Sequence, residues 1–222
     1  MKPKRAIAME FLGTAILASA IVGSGIMATN LTSESALRLL INAFSTAVGL
    51  AVVIRIGIKV SGSHFNPAVT LVMLTIKKID LRSACFYISA QILGAISGVA
   101  TANFIFNQKV LDRSLTIRSG TNLFVSEIIA TAVLLWIILR FPKRDDLVAI
   151  FAPLWIFGGI LCTSSTAFAN PAITIGRVFT ASITGISPKS VASFIVAQLM
   201  GAALGLLIAQ NITNHKSASY VE

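Results

Sequence analysis

The sequence predicts an all-α membrane protein: a bundle of six transmembrane helices plus two re-entrant half-helices, arranged as an inverted tandem repeat. Three observations predict it. Of the 222 residues, 55% are hydrophobic and only 12% charged, and the mean hydropathy is +0.86; a soluble domain carries about 25% charged residues. Apolar segments run near 6–29, 38–58, 83–106, 123–141, 147–168 and 188–210, each close to the roughly 20 residues that cross a bilayer. Finally, Asn-Pro-Ala occurs twice, opening two apolar stretches, 66–76 and 171–183, that are too short to span.

Each element follows from local chemistry. "EFLGTAIL" at 10–17 matches "EIIATAVL" at 127–134, and "YISAQILGAISG" at 87–98 matches "FIVAQLMGAALG" at 194–205. The two Asn-Pro-Ala segments lie between these markers, in the same order in each half. The chain 1–222 therefore reads as one transmembrane domain: a first repeat at about 6–106, a connecting loop at 107–122 and a second repeat at about 123–210. Three crossings per half is an odd number, so the second half is inverted and the short segments enter from opposite faces. Asn is a preferred N-cap and Pro is favoured at the first helical position. Asn66, Pro67 and Ala68, and likewise Asn170, Pro171 and Ala172, thus start half-helices whose N-termini, each with about half a positive charge, meet beside a polar path. Non-helical backbone at that depth needs protein or water around it.

The net charge of +10 is topological and implies no nucleic-acid partner. Twelve of the eighteen basic residues (Lys2, Lys4, Arg5, Arg55, Lys59, Lys77, Lys78, Arg82, Arg140, Lys143, Arg144 and Lys216) fall on one side of six crossings. Arg38, Lys109, Arg113, Arg118, Arg177 and Lys189 fall on the other. That bias orients both termini to the cytoplasm of a multi-pass protein of the inner (plasma) membrane. The start "MKPKRAIAMEFLGTAILASA" has a signal-peptide outline, but Glu10 lies inside its apolar run and has a repeat counterpart in Glu127. Cys85 and Cys162 suggest neither a disulfide framework nor a metal site. No cofactor is implied, and no nucleophile–base pair, metal cluster or phosphate loop points to an enzyme.

"SGSHFNPAVTL" and "ANPAITIGR", with Glu10, Gln91, Glu127 and Gln198 at corresponding places, resemble the aquaporin (major intrinsic protein) family over residues 6–210. The resemblance implies a six-helix bundle with two half-helices, usually a homotetramer with one pore per subunit. It implies that backbone carbonyls of Gly62, Ser63, His64 and Phe65 line one vestibule, and those of Ser165, Thr166, Ala167 and Phe168 the other. Glu10 and Glu127, as intramembrane acids, invite a proton-relay reading; the resemblance favours a bracing role, each accepting N–H groups of a half-helix loop, with Gln91 and Gln198 assisting. Gly94/Gly98 and Gly201/Gly205 have the small-xxx-small spacing of close helix packing.

The family's constriction comprises positions twenty before the first motif Asn, and twelve before, three before and three after the second. These are Thr46, Gly158, Ala167 and Ile173; a slip of one to Gly159 changes nothing. Most members carry Arg where Ile173 stands, so the constriction should be wide and nearly free of donors, admitting solutes larger than water. Two placements are open for Arg177: guarding the outer mouth one turn beyond Ile173, or reaching the surface or an acid such as Glu34. The arginine-less motif followed by "TIGR" resembles a bacterial subgroup of aquaglyceroporin-like channels associated with arsenic resistance. Cys162 is expected to be a buried packing thiol rather than a vestibule thiol open to trivalent arsenic.

The function expected is a passive channel for small uncharged solutes, namely metalloid hydroxides such as As(OH)3, glycerol-sized polyols and water, selective against ions. The alternatives are a general water and glycerol facilitator and, from another class, a secondary transporter with coupling-ion ligands near the midplane.

Overall fold

A computed structural model describes residues 3–212; Lys2 and Lys216, counted in the charge bias, lie outside the described residues. Eight α-helices follow in order: α1 (Pro3–Leu31), α2 (Ser35–Gly57), α3 (Pro67–Thr75), α4 (Leu81–Ile105), α5 (Thr121–Arg140), α6 (Asp145–Cys162), α7 (Pro171–Gly176) and α8 (Pro188–Ile212). A 3-10 turn, Arg177–Phe179, continues α7, and no strand occurs among the described residues. Helices α1, α2, α4, α5, α6 and α8 are long and apolar enough to cross a membrane. At 1.5 Å per residue, nine-residue α3 and six-residue α7 are about 13 and 9 Å long, far short of a hydrocarbon core of about 30 Å.

Large apolar side chains point outward all round the bundle: Phe44, Leu93, Phe104 and Leu154 are each more than half exposed. In water such a surface would aggregate; in a bilayer it meets hydrocarbon. The polar ends of the helices carry the capping instead. Asp80 accepts from the Ser83 N–H (2.9 Å) and hydroxyl (2.7 Å) at the start of α4, bonds that hold its carboxyl below the usual range.

Two apolar segments are shorter as helices than they read as sequence. The segment expected at 147–168 leaves α6 after Cys162, where Thr163 turns extended (φ −115°, ψ 143°) and its hydroxyl caps the Gly159 carbonyl at 2.7 Å. The stretch 171–183 is helical only to Gly176, then tightens through the 3-10 turn.

Apolar association has no driving force inside lipid, so helices there need close backbone contact. Glycine supplies it in matched pairs. A Cβ on Gly94 would overlap the Phe11 carbonyl oxygen, and one on Gly98 that of Ala15. In the second half Gly201 meets Ile128 and Gly205 meets Ala132 in the same way. Accordingly α1 packs most extensively on α4 and α5 on α8, while α2 against α6 joins the halves.

Replacing Gly201 by Leu should lower stability by about 1–3 kcal/mol, the usual cost of overpacking, or prevent folding. Gly158→Ala should be neutral or stabilising, since a Cβ there meets nothing within 4 Å. Thermal unfolding in detergent checks both.

Candidate functional site

Asn66 and Asn170 sit in extended conformation as N-caps of α3 and α7, each followed by Pro at the first helical position. The Oδ1 of Asn66 accepts from the Ala68 N–H (2.9 Å), and that of Asn170 from the N–H groups of Ala172 (3.0 Å) and Ile173 (3.3 Å). The amide nitrogens reach across the bundle. Asn66 Nδ2 donates to the Ala169 carbonyl at 2.7 Å, and Asn170 Nδ2 to the Phe65 carbonyl at 2.8 Å. Each Asn therefore bonds the residue preceding the other, and the half-helix starts lie tip to tip. A carboxamide nitrogen carries two hydrogens, so each Asn keeps one N–H free. Both residues line the central cavity.

The loops leading to these caps are forced into left-handed backbone. Ser63 and Phe65 have φ of 52° and 48°; Thr166, Ala167 and Ala169 have 61°, 43° and 47°. Such residues cost about 1–3 kcal/mol each and persist only where surroundings hold them. Two buried carboxylates do so. Glu10 Oε1 accepts from the Ser61 hydroxyl (2.6 Å) and His64 N–H (3.0 Å), and Oε2 from Phe65 N–H (2.6 Å) and Gln91 Nε2 (2.7 Å). Glu127 Oε1 accepts from Phe168 N–H (2.9 Å), and Oε2 from Ala169 N–H (2.9 Å) and Gln198 Nε2 (2.7 Å). Neither acid has measurable exposure.

Sequence reasoning missed four participants. Gln91 Nε2 also donates to Thr70 Oγ1, and Gln198 Nε2 to Thr174 Oγ1, both at 2.9 Å. Each Thr hydroxyl in turn bonds its motif Asn carbonyl. The signal was present, since both motifs read Asn-Pro-Ala-x-Thr. Ser61 has a repeat counterpart in Ser165, at the same offset as the two Asn, and each hydroxyl accepts the N–H two residues on. Tyr87, whose hydroxyl donates to the Ser61 carbonyl at 2.9 Å, aligns with Phe194 and left no such signature. The His64 ring contacts Thr70 Oγ1 at 3.0 Å through Nδ1 and packs edge-on against Tyr87.

The cavity is lined along α2 by Asn42, Thr46, Leu50 and Ile54 and, just past the helix end, by Ile58. At 1.5 Å per residue that face runs about 24 Å, most of a bilayer's hydrocarbon thickness. Gly62, Ser63, His64 and Phe65 line it from one loop, and Thr166, Ala167 and Phe168 from the other. Ser165 does not: it is fully buried, and its hydroxyl accepts the Ala167 N–H at 3.2 Å.

Of the four expected constriction residues, Thr46, Ala167 and Ile173 line the cavity and Gly158 does not. Every fourth residue of α6 faces it (Val148, Ala152, Ile156 and Ile160), and at 100° per residue position 158 lies on the opposite side. Gly159 packs toward the Ala167 methyl instead. The α6 wall is thus isoleucine, narrower than glycine would leave it. Arg177 lines the cavity with 5% exposure. It neither reaches the surface nor pairs with Glu34, which is exposed and outside every ion pair found among the described residues. Cys162 is an exposed thiol off the cavity, not a buried one, and Cys85 is exposed too.

Glu127→Gln should destabilise the protein by about 1–3 kcal/mol, because an NH2 then confronts N–H donors and leaves one unpaired. Thr174→Ser keeps the hydroxyl and should change little. Unfolding midpoints of the purified variants check the difference.

The geometry has known counterparts. Residues 1–164 match the family model "Major intrinsic protein". Aquaglyceroporin AqpS of Rhizobium meliloti (strain 1021) is 40% identical over 202 residues, covering 90% of this chain and 86% of that protein. A glycerol uptake facilitator protein-like 6 of Lactiplantibacillus plantarum is 34% identical over 183 residues, covering 74% of this chain and 83% of that one. Among solved structures, the aquaglyceroporin from Plasmodium falciparum superposes with a TM-score of 0.72 at 25% identity, covering 98% of each chain. With two tip-to-tip half-helices, a bilayer-length cavity and these likenesses, the chain belongs to the major intrinsic protein family.

Proposed function

We propose that the chain is a passive channel for water and glycerol-sized uncharged solutes, and that As(OH)3, also a small neutral trihydroxy molecule, belongs to the same solute class. The observation that carries the reading is the pair of Asn66 and Asn170 amides, each with one N–H unused by the protein, lining a cavity whose α2 face runs most of a bilayer's hydrocarbon thickness. A solute oxygen passing them accepts hydrogen bonds that replace those lost on dehydration. A cation gains nothing from donors and meets two helix N-termini of its own sign. The remaining walls, such as Leu50, Ile54 and Ile156, repay none of a cation's lost hydration.

In this reading Thr46, Ala167 and Ile173, with the Ile156 and Ile160 face of α6, form the constriction. Ile173 in place of a charged donor sets its breadth. Glu10 and Glu127 are braces rather than proton carriers, because their oxygens already accept from three or four donors each. The same saturation disfavours a secondary transporter, which needs open carboxylate oxygens for a coupling ion. Four subunits, each with its own pore, and cytoplasmic termini complete the proposal, supported by family membership and by the basic bias of one face.

Proteoliposomes shocked with glycerol in a stopped-flow light-scattering instrument should reswell faster than empty vesicles. Ile173→Arg should slow that reswelling by on the order of tenfold while sparing water-driven shrinkage, since one added charged donor narrows the ring. Water flux without accelerated glycerol reswelling in the wild type would remove the polyol and metalloid assignment.

A further inference from the structure

Position 173 is uncharged, yet the cavity is not without a fixed cation. Arg177 lies four residues on, past the end of α7, and its guanidinium carbon sits 3.3 Å from the centroid of the Phe168 ring. Its Nε donates to the Thr184 carbonyl. Arg118 comes over the same ring at 5.2 Å, and donates from Nε to the Gly185 carbonyl (2.9 Å) and from Nη2 to the Ile183 carbonyl (3.0 Å). Three successive carbonyls, 183 to 185, thus hold two guanidiniums against one aromatic ring.

The two arginines differ in what they leave open. Arg118 spends its Nε and one Nη on backbone and does not line the cavity, whereas Arg177 does. Neither Nη of Arg177 has a hydrogen-bond partner among the described residues. Thr46, which also lines the cavity, has a buried hydroxyl without a partner among them. A guanidinium stays charged and, stacked on a ring, is pre-organised. Arg177 is in no ion pair among the described residues, and the Glu127 carboxylate is already filled by Phe168, Ala169 and Gln198.

We propose that Arg177 is the cation-excluding residue of this pore: it lines the cavity with both Nη groups free of protein partners among the described residues, one helical turn along the chain from the uncharged position Ile173. The charge is moved outward along the path rather than lost. Polyols and neutral trihydroxy acids accept hydrogen bonds from its free N–H groups, while cations are repelled before they reach the Asn pair.

The inference rests on the channel reading, and one experiment separates the two. Wild type, Arg177→Met, Arg177→Gln and Arg177→Lys are reconstituted and each is measured for glycerol flux and for proton leak, using entrapped pyranine under a valinomycin-set potassium potential. The Gln variant keeps a donor for the Thr184 carbonyl, guarding against simple misfolding. The expected result is a leak-to-glycerol ratio raised on the order of tenfold in the Met and Gln variants and held near wild type in the Lys variant. A neutral variant that conducts glycerol and is as proton-tight as wild type overturns the proposal. So does loss of glycerol flux from both neutral variants, which makes Arg177 a fold anchor. Absence of glycerol flux in the wild type overturns the channel reading itself.

Discussion

Everything in this molecule depends on keeping irregular backbone inside a membrane, where an unpaired N–H or C=O costs several kcal/mol. Two loops descend to the centre in left-handed conformations, and the amides of His64, Phe65, Phe168 and Ala169 find their partners outside their own backbone. A buried carboxylate under each loop is the solution. One anion accepts from two successive N–H groups and a glutamine at once, and hydrogen bonds to a charged acceptor are worth more than neutral ones. Burying that charge is costly, and the saturation of its oxygens is what makes it tolerable. With the carboxylates in place the loops are rigid, and the Asn side chains they carry are aimed.

Around that centre the packing is arranged for closeness. Glycines at the α1/α4 and α5/α8 crossings bring helix backbones against one another, so each Glu on α1 or α5 and its Gln on α4 or α8 arrive on the same loop from two sides. The outer surface makes no such demands and is simply apolar. Precision is concentrated in a narrow core, which is where polar groups must be satisfied or left deliberately open.

Much of this was legible in the residues. The paired Asn-Pro-Ala motifs, the repeat spacing and the apolar runs led to six spans, two half-helices and an Asn pair facing one path. Helix faces were less readable. A count from Asn170 lands on Gly158, but orientation is set by how α6 rotates against α2 and α5, so Ile156 and Ile160 took the wall. The stop of α6 was marked by the run Thr163, Ser164, Ser165 and Thr166 after Cys162, and went unread because Ala167 and Phe168 prolong the apolar segment beyond it. Ser165 was misplaced because its hydroxyl folds back onto the Ala167 N–H, which buries the residue behind the loop. The Thr70 and Thr174 hydroxyls were visible in the repeat and went unread because threonine passes for an ordinary apolar-helix residue.

The reciprocal bonds between the half-helices carry a historical implication. Asn66 binds the carbonyl before Asn170, and Asn170 binds the carbonyl before Asn66. Donor and acceptor are therefore both encoded within a single half, which is the defining property of a two-fold symmetric contact. Two copies of one half, inserted in opposite directions, would close both bonds with no contribution from a linker. The junction at the heart of this chain has the form of a homodimer interface that fusion later made permanent. Once fused, each side was free to diverge: the first carries the Tyr87 hydroxyl where the second has Phe194, and the second carries Arg177 over Phe168.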